Sequence, residues 1–179
     1  MLLAPDQSWY WFYDEGNQRL ALALGPELIF MSAFQGKQIN PDCRYQQPFT
    51  SQHAKFYSDC VDSLAQQLEC SDGVRIQTAL NMVIARFFSI PMMPKSWYFD
   101  TSDTIVYARA GKTVSLQTQV ERSQFAVIDS NEQSSLLMLL DQHCALTEHK
   151  SLQQFGLIKV MNDRIMPARQ NRTMQIAAA

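Results

Sequence analysis

The sequence is poor in the residue types that carry most enzymatic chemistry. It has three histidines, His53, His143 and His149, and six glycines scattered at positions 16, 25, 36, 73, 111 and 156. Glycines so dispersed cannot build a phosphate-cradling loop from sequence neighbours, and no G-x-S-x-G elbow, P-loop or G-x-G-x-x-G is present. Cys43, Cys60, Cys70 and Cys144 show no C-x-x-C spacing, and His143, Cys144 and His149 fit no standard zinc arrangement. The carboxylates at Asp14-Glu15 and Asp163 stand at predicted turns, where they satisfy backbone donors. Neither a metal, a cofactor nor an enzyme activity is expected.

Charge is also scarce, at 18% of residues against roughly 25% in an average soluble protein. The net charge of -2 argues against a nucleic-acid binder, which usually needs a strongly basic surface. The apolar run at Leu136–Leu140 falls far short of the roughly 20 residues that span a bilayer, and Leu2-Leu3-Ala4 is interrupted at once by Pro5 and Asp6. The reading is a soluble chain with no signal peptide and no membrane insertion, its cysteines free thiols in a reducing cytoplasm.

What is present is apolar mass. Of 179 residues, 46% are hydrophobic and 11% aromatic, enough for one generous domain or two small ones. Trp9, Trp11 and Tyr13 alternate with Tyr10, Phe12 and Asp14, a strand whose two faces are both largely apolar. Two readings of that run stay open: burial on both sides, or an exposed aromatic surface able to stack on a partner. Turns at Gly16-Asn17 and Gly25-Pro26 join it to strands at 19–24 and 28–33, giving a three-stranded antiparallel meander. A loop over 35–50 leads to two helices. The first, over 51–68, carries Tyr57, Cys60, Val61, Leu64 and Leu68 on one stripe, with His53 in its first turn. The second is capped by Asp72, carries Ile76, Leu80, Val83, Ile84 and Phe87, and stops before Ile90-Pro91.

Beyond Pro94 short strand-like runs follow at 96–100, 104–108, 113–120, 124–129 and 136–140, with a further strand at 145–147. Leu157–Met161 and Arg164–Pro167 flank Asn162-Asp163 as in a hairpin, although Leu157, Ile158, Met161 and Ile165 also fit helical spacing. The fold class is α+β. An N-terminal α/β layer of meander and two helices occupies 1–90, a twisted β-barrel-like domain 91–168, and a flexible tail 169–179 that frays at Ala177-Ala178-Ala179.

Two segments join positive charge to apolar surface: Met93-Pro94-Lys95-Ser96-Trp97 and Lys159-Val160-Met161-Asn162-Asp163-Arg164. Lys95 reads either as a solvated lysine beside a core tryptophan or as a partner-facing charge. Arg164 can take a partner carboxylate bidentately, or pair locally with Asp163. With Pro5-Asp6, Trp9, Trp11, Tyr13-Asp14-Glu15, Arg19 and Ile158-Lys159, these segments resemble the ZapC family of bacterial cell-division proteins.

The resemblance implies a non-enzymatic factor that acts in the cytoplasm at the mid-cell Z-ring. It would bind the globular core of polymerised FtsZ, bundle the filaments laterally and stabilise the ring. A C-terminal pocket, apolar at its centre and basic at its rim, would take FtsZ through Lys95 and Trp97, with Lys159 and Arg164 as further rim residues. Leu22 would belong to an N-terminal pocket region linked with bundling, and Trp9, Trp11 and Leu24 join it by proximity on the sheet. A particle that bridges filaments would be a monomer with two sites or a weak homodimer. The alternative to filament binding is a sensor module that takes a small anion or nucleotide at the same basic residues.

Overall fold

The computed structural model describes residues 3–170 and 173–177. The meander forms as its alternation predicts: β1 (Tyr10–Asp14), β2 (Arg19–Ala23) and β3 (Ile29–Gln35) pair antiparallel. Asp14 shapes the first turn by accepting the Asn17 N–H at 3.0 Å, and Gln18 takes up the positive φ of 54° that the turn requires. The predicted loop over 35–50 contains two 3-10 turns and a two-residue strand, β4 (Gln47–Pro48), that pairs with the free edge of β1.

The helices cover one face of this sheet. Thr50 caps α1 (Ser51–Gln67) by accepting the His53 N–H at 3.2 Å, and Tyr57, Cys60, Val61 and Leu64 are buried. Burial pushes the Cys60 thiol up to about 12, so it is inert apolar filling. In α2 (Asp72–Phe87) the cap is Ser71 rather than Asp72. Its hydroxyl accepts the Val74 N–H at 3.3 Å, while Asp72 sits in the first turn and pairs with Arg75. Every residue from Thr78 to Ala85 is buried, which a one-sided stripe does not predict. The reason is position: along this stretch α2 packs against α1, β3 and β6 (Arg122–Ser130), a strand of the second sheet.

The C-terminal half is built on a five-stranded sheet in the order β10-β7-β6-β5-β11. Its strands are β5 (Thr113–Gln117), β6 (Arg122–Ser130), β7 (Ser134–Leu139), β10 (Leu157–Met161) and β11 (Met166–Pro167). A separate pair, β8 (His143–Ala145) and β9 (Ser151–Gln153), stands beside it. Two predicted strands differ. Ser96–Tyr98 is a 3-10 turn, and residues 104–108 have no ladder partner among the described residues.

The predicted hairpin at 157–167 is corrected as well. Both arms are extended, but β10 pairs with β7 and β11 with β5, each antiparallel. Since β5 and β7 both oppose β6, β10 and β11 run in the same direction along opposite edges of the sheet. The 3-10 turn Asn162–Arg164 carries the chain from one edge to the other, so the sheet must curl for its edges to approach. It stays open, because β10 and β11 share no ladder.

This curled sheet separates two cores. Ala126, Ile128, Met138 and Leu140 join Trp9, Trp11, Leu22, Phe34 and the helix stripes in the first core, which therefore crosses the 90/91 position. Phe125, Val127, Leu137, Leu139, Ile158 and Val160 fill the other side, closed by Phe99, Cys144, Leu146 and Ile165. Alternate residues of one strand thus serve different cores, as the pleat dictates. Polar contacts fasten the halves: Gln67 bridges the Gly111 carbonyl and the Thr113 N–H, at 3.0 and 2.7 Å, and Arg86 meets Asp129 at 2.6 Å. Gly111 has φ +87°, a conformation that side chains disfavour.

Residues 173–177, within the tail expected to be flexible, lie against both halves. Met174 is buried and its N–H donates to the Glu69 carbonyl at 3.0 Å; the Ala177 N–H donates to Gln154 Oε1 at 2.7 Å. The expectation of fraying at Ala178 and Ala179 lies outside the described residues, as does Leu2 of the N-terminal run. Among the described residues no helix is long and apolar enough to cross a membrane.

Candidate functional site

The two charged segments, more than sixty positions apart in sequence, meet in space. The Lys95 N–H donates to the Lys159 carbonyl at 2.8 Å, and the Met161 N–H donates to Ser96 Oγ at 2.8 Å. Arg164 completes the junction: its Nε donates to the Ser96 carbonyl at 3.2 Å, and Nη1 reaches Thr101 Oγ1 at 3.1 Å and Asp163 at 2.9 Å. With its side chain 23% exposed, Arg164 works chiefly as a brace that fixes the 95–101 segment to the end of β10. The local Asp163 pairing weighed from sequence is present.

That brace presents Trp97 to solvent. The indole is 71% exposed and tilts against the Tyr98 ring at 5.6 Å. Next to it opens a pocket of about 550 Å³, with Phe99, Val120 and Leu146 among its apolar lining and Asp100, Glu148 and His149 among its polar lining. Lys150 stands 5.7 Å from the Tyr98 ring centroid. Its hydrogen bond to the hydroxyl is the main cause that holds the Tyr98 pKa below the usual phenol value, aided by a hydrogen bond with Trp97 and the charges of Lys150 and Lys95. The rim is thus of mixed sign rather than uniformly basic.

Lys159 belongs elsewhere. On β10 its neighbours Ile158 and Val160 enter the second core, so its side chain takes the opposite face, where it lines a small hollow with Asp129, Asn131 and Leu136. Its backbone, not its ammonium, meets the Lys95 segment. Conversely, Lys150 was not singled out from sequence. The signal was only a lysine in a predicted connection after β8, indistinguishable from any solvated turn residue until β8 and β9 set it over Tyr98.

The N-terminal candidates occupy the first core. Leu22 is fully buried between Trp11 of β1 and Phe30 of β3, Trp9 and Trp11 are buried, and Leu24 is half-buried. Trp11 Nε1 donates to His53 Nδ1 at 3.2 Å, and Thr50 N donates to the same atom at 3.1 Å. His53, enclosed by Phe49, Phe87 and Phe88, has its pKa pushed down to about 4 by burial and is neutral. The other face of the sheet carries Tyr10, Phe12, Ile29 and Met31, with Tyr10 and Ile29 exposed. Of the aromatic run, Trp9 and Trp11 are thus buried, while on the outer face Tyr10 is exposed and Phe12 half-buried.

The comparison with known proteins covers the chain end to end. The family model described as cell-division protein ZapC, N-terminal, matches residues 2–90, and that described as ZapC, C-terminal, matches residues 91–171. The chain belongs to the ZapC family. A cell division protein ZapC of Ferrimonas balearica is 48% identical over 179 residues, covering all of both chains. Those of Shewanella oneidensis and Aeromonas hydrophila are 41% and 35% identical, over 96% and 93% of this chain and 97% and 93% of theirs. A role in cell division follows, and the ZapC descriptions name no reaction. The residues that bring the two charged segments together lie wholly within the ZapC C-terminal match.

Proposed function

We propose that this chain binds polymerised FtsZ at the division site and promotes lateral bundling of its filaments, with the Trp97 face as the contact. The observation that carries this reading is Trp97, largely solvent-exposed beside an apolar-floored pocket, on a turn that Arg164 ties to the end of β10. Exposed, immobilised aromatics next to charge make typical anchors of protein interfaces. Lys95 and Lys150 supply local positive charge that orients an acidic partner surface, and the Trp97, Phe99 and Leu146 surfaces supply contact that persists at physiological salt. Asp100 and Glu148 at the same pocket oppose a small anion or nucleotide, which disfavours the sensor alternative.

Because Leu22, Trp9 and Trp11 are core residues, their contribution to bundling is assigned to sheet integrity, with the outer face at Tyr10 and Ile29 as the surface available for a second contact. Arg164 and Lys159 act through the placement of the 95–97 segment. The test is co-sedimentation with cognate FtsZ under polymerising conditions. Trp97→Ala is expected to weaken binding by about 2 kcal/mol, roughly 30-fold, and Lys95→Glu by less. Wild-type pelleting of a folded Trp97→Ala variant would sink the assignment of this face.

A further inference from the structure

We propose that the groove between residues 104–107 and 167–170 is a docking site for an acidic linear peptide that carries a large apolar side chain. The groove has a volume of about 460 Å³, within the range of ligand sites, and shares no lining residue with the pocket beside Trp97. Both walls are fastened. On one, Lys112 Nζ donates to the Tyr107 carbonyl at 3.2 Å, and Ser102 Oγ donates to that of Thr104 at 2.9 Å. On the other, Arg122 Nη2 and Ser115 Oγ donate to the Pro167 carbonyl at 2.6 and 2.7 Å, and β11 is paired with β5. Between the walls, Gln67 Oε1 accepts from the Thr113 N–H and hydroxyl, at 2.7 and 2.9 Å. A cleft held in this way is preformed, which lowers the free energy spent on ordering it when a partner binds.

The occupant follows from the lining. Ile105 and Tyr107 are 84% and 85% exposed, two large apolar side chains side by side in solvent. Lys112 and Arg169 stand in the same lining, which holds no carboxylate, and neither cation has an ion pair among the described residues. Asp103, next to Thr104 in sequence, lies outside it. In a chain of net charge -2 this is a local excess of positive charge, complementary to an acidic partner. Among the described residues no hydrogen bond uses the N–H groups of Ile105, Val106, Tyr107 or Ala108. These donors can take carboxylate oxygens or the carbonyls of an extended peptide. Two cations are too few for a nucleic acid, whose binding rests on many phosphate contacts. A concave site suits a single chain better than the flat surface of an anionic bilayer. The contact is small, so the association is weak.

The test contains no FtsZ, so its failure and the failure of the FtsZ reading are distinguishable. The full chain is titrated against three fluorescein-labelled heptapeptides: Glu-Asp-Phe-Glu-Ile-Asp-Glu, a form with lysine at every acidic position, and a form with serine in place of phenylalanine and isoleucine. Fluorescence anisotropy should give a Kd of about 10–100 µM for the first and binding at least about tenfold weaker for the other two. Arg169→Glu and Tyr107→Ser, both at exposed positions, should each weaken the first peptide by roughly fivefold. Lys112→Glu combined with Arg169→Glu should prefer the lysine form to the acidic one, a reversal that misfolding cannot mimic. The acidic peptide should bind Trp97→Ala as it binds the wild type, and phosphatidylglycerol vesicles should not displace it. Absence of binding up to about 1 mM, loss of binding in Trp97→Ala, displacement by the vesicles, or no reversal of preference overturns the proposal.

Discussion

Two aromatic segments of this protein, Trp9–Tyr13 and Trp97–Phe99, have nearly the same composition and end in opposite surroundings. In the first, Trp9 and Trp11 are 2% and 1% exposed beneath two helices, and Trp11 is paired on both sides, with Leu22 of β2 and Gln47 of β4. In the second, Trp97 is 71% exposed on a 3-10 turn that no ladder holds. Composition is therefore no guide to role. A pleated strand sends alternate side chains to opposite faces, so an aromatic run there divides into core and surface. A turn tied by Arg164 to a neighbouring strand can hold an aromatic rigid without burying it. One region spends its aromatics on stability, the other on display.

The comparison breaks most severely in the first region. Leu22 lies in the central strand of the meander, paired to Trp11 and Phe30, and a proline there removes a ladder donor and disturbs both neighbours. Leu22→Pro should abolish cooperative unfolding, seen by circular dichroism as loss of the native spectrum. A native spectrum would contradict the assigned strand.

Next in size is the titration of His53. Its folded pKa of about 4 lies below the ordinary 6.5, so between these values the unfolded chain binds more protons than the native one. Stability should be complete above about pH 6.5 and fall by roughly 3 kcal/mol as pH drops to about 4. Thermal melts across that window test the slope, which should flatten in His53→Gln if this group causes it.

Smaller again is removal of the brace. Arg164→Ala loses hydrogen bonds to Ser96 and Thr101 at a partly exposed site and should cost about 1–2 kcal/mol in denaturant unfolding. It should also lengthen the range of motion of Trp97, read as a fall in indole fluorescence anisotropy. Least of all, Trp97→Ala should change stability by under about 0.5 kcal/mol, since the ring is mostly in solvent. A large loss of stability there would erase the contrast between the two regions.

Much of the architecture was legible in sequence because it rests on local periodicity. The alternation at 9–14, the stripe of α1 and the proline stop after α2 each required only a few neighbouring residues. The strand at 157–161 was legible too, while its partner was not: hairpin and opposite-edge arrangements share the same residues, and only long-range pairing with β7 and β5 separates them. The same limit applies at the site. Lys95, Trp97 and Arg164 could be named, yet Arg164 as a brace, Lys159 on the other face and Lys150 over Tyr98 depend on which strand edges meet.

By itself, then, the sequence determined an α+β chain, its helices and most of its strand segments, and its resemblance to ZapC, because these follow from spacing along the chain and from matching residues. Tertiary structure alone decided that one sheet serves two cores, that two segments far apart in sequence form one junction, and that of two tryptophan-bearing segments one is interior and the other surface. The physical reason is that burial and hydrogen-bond partnership belong to pairs of distant residues, and no local pattern specifies which pairs form.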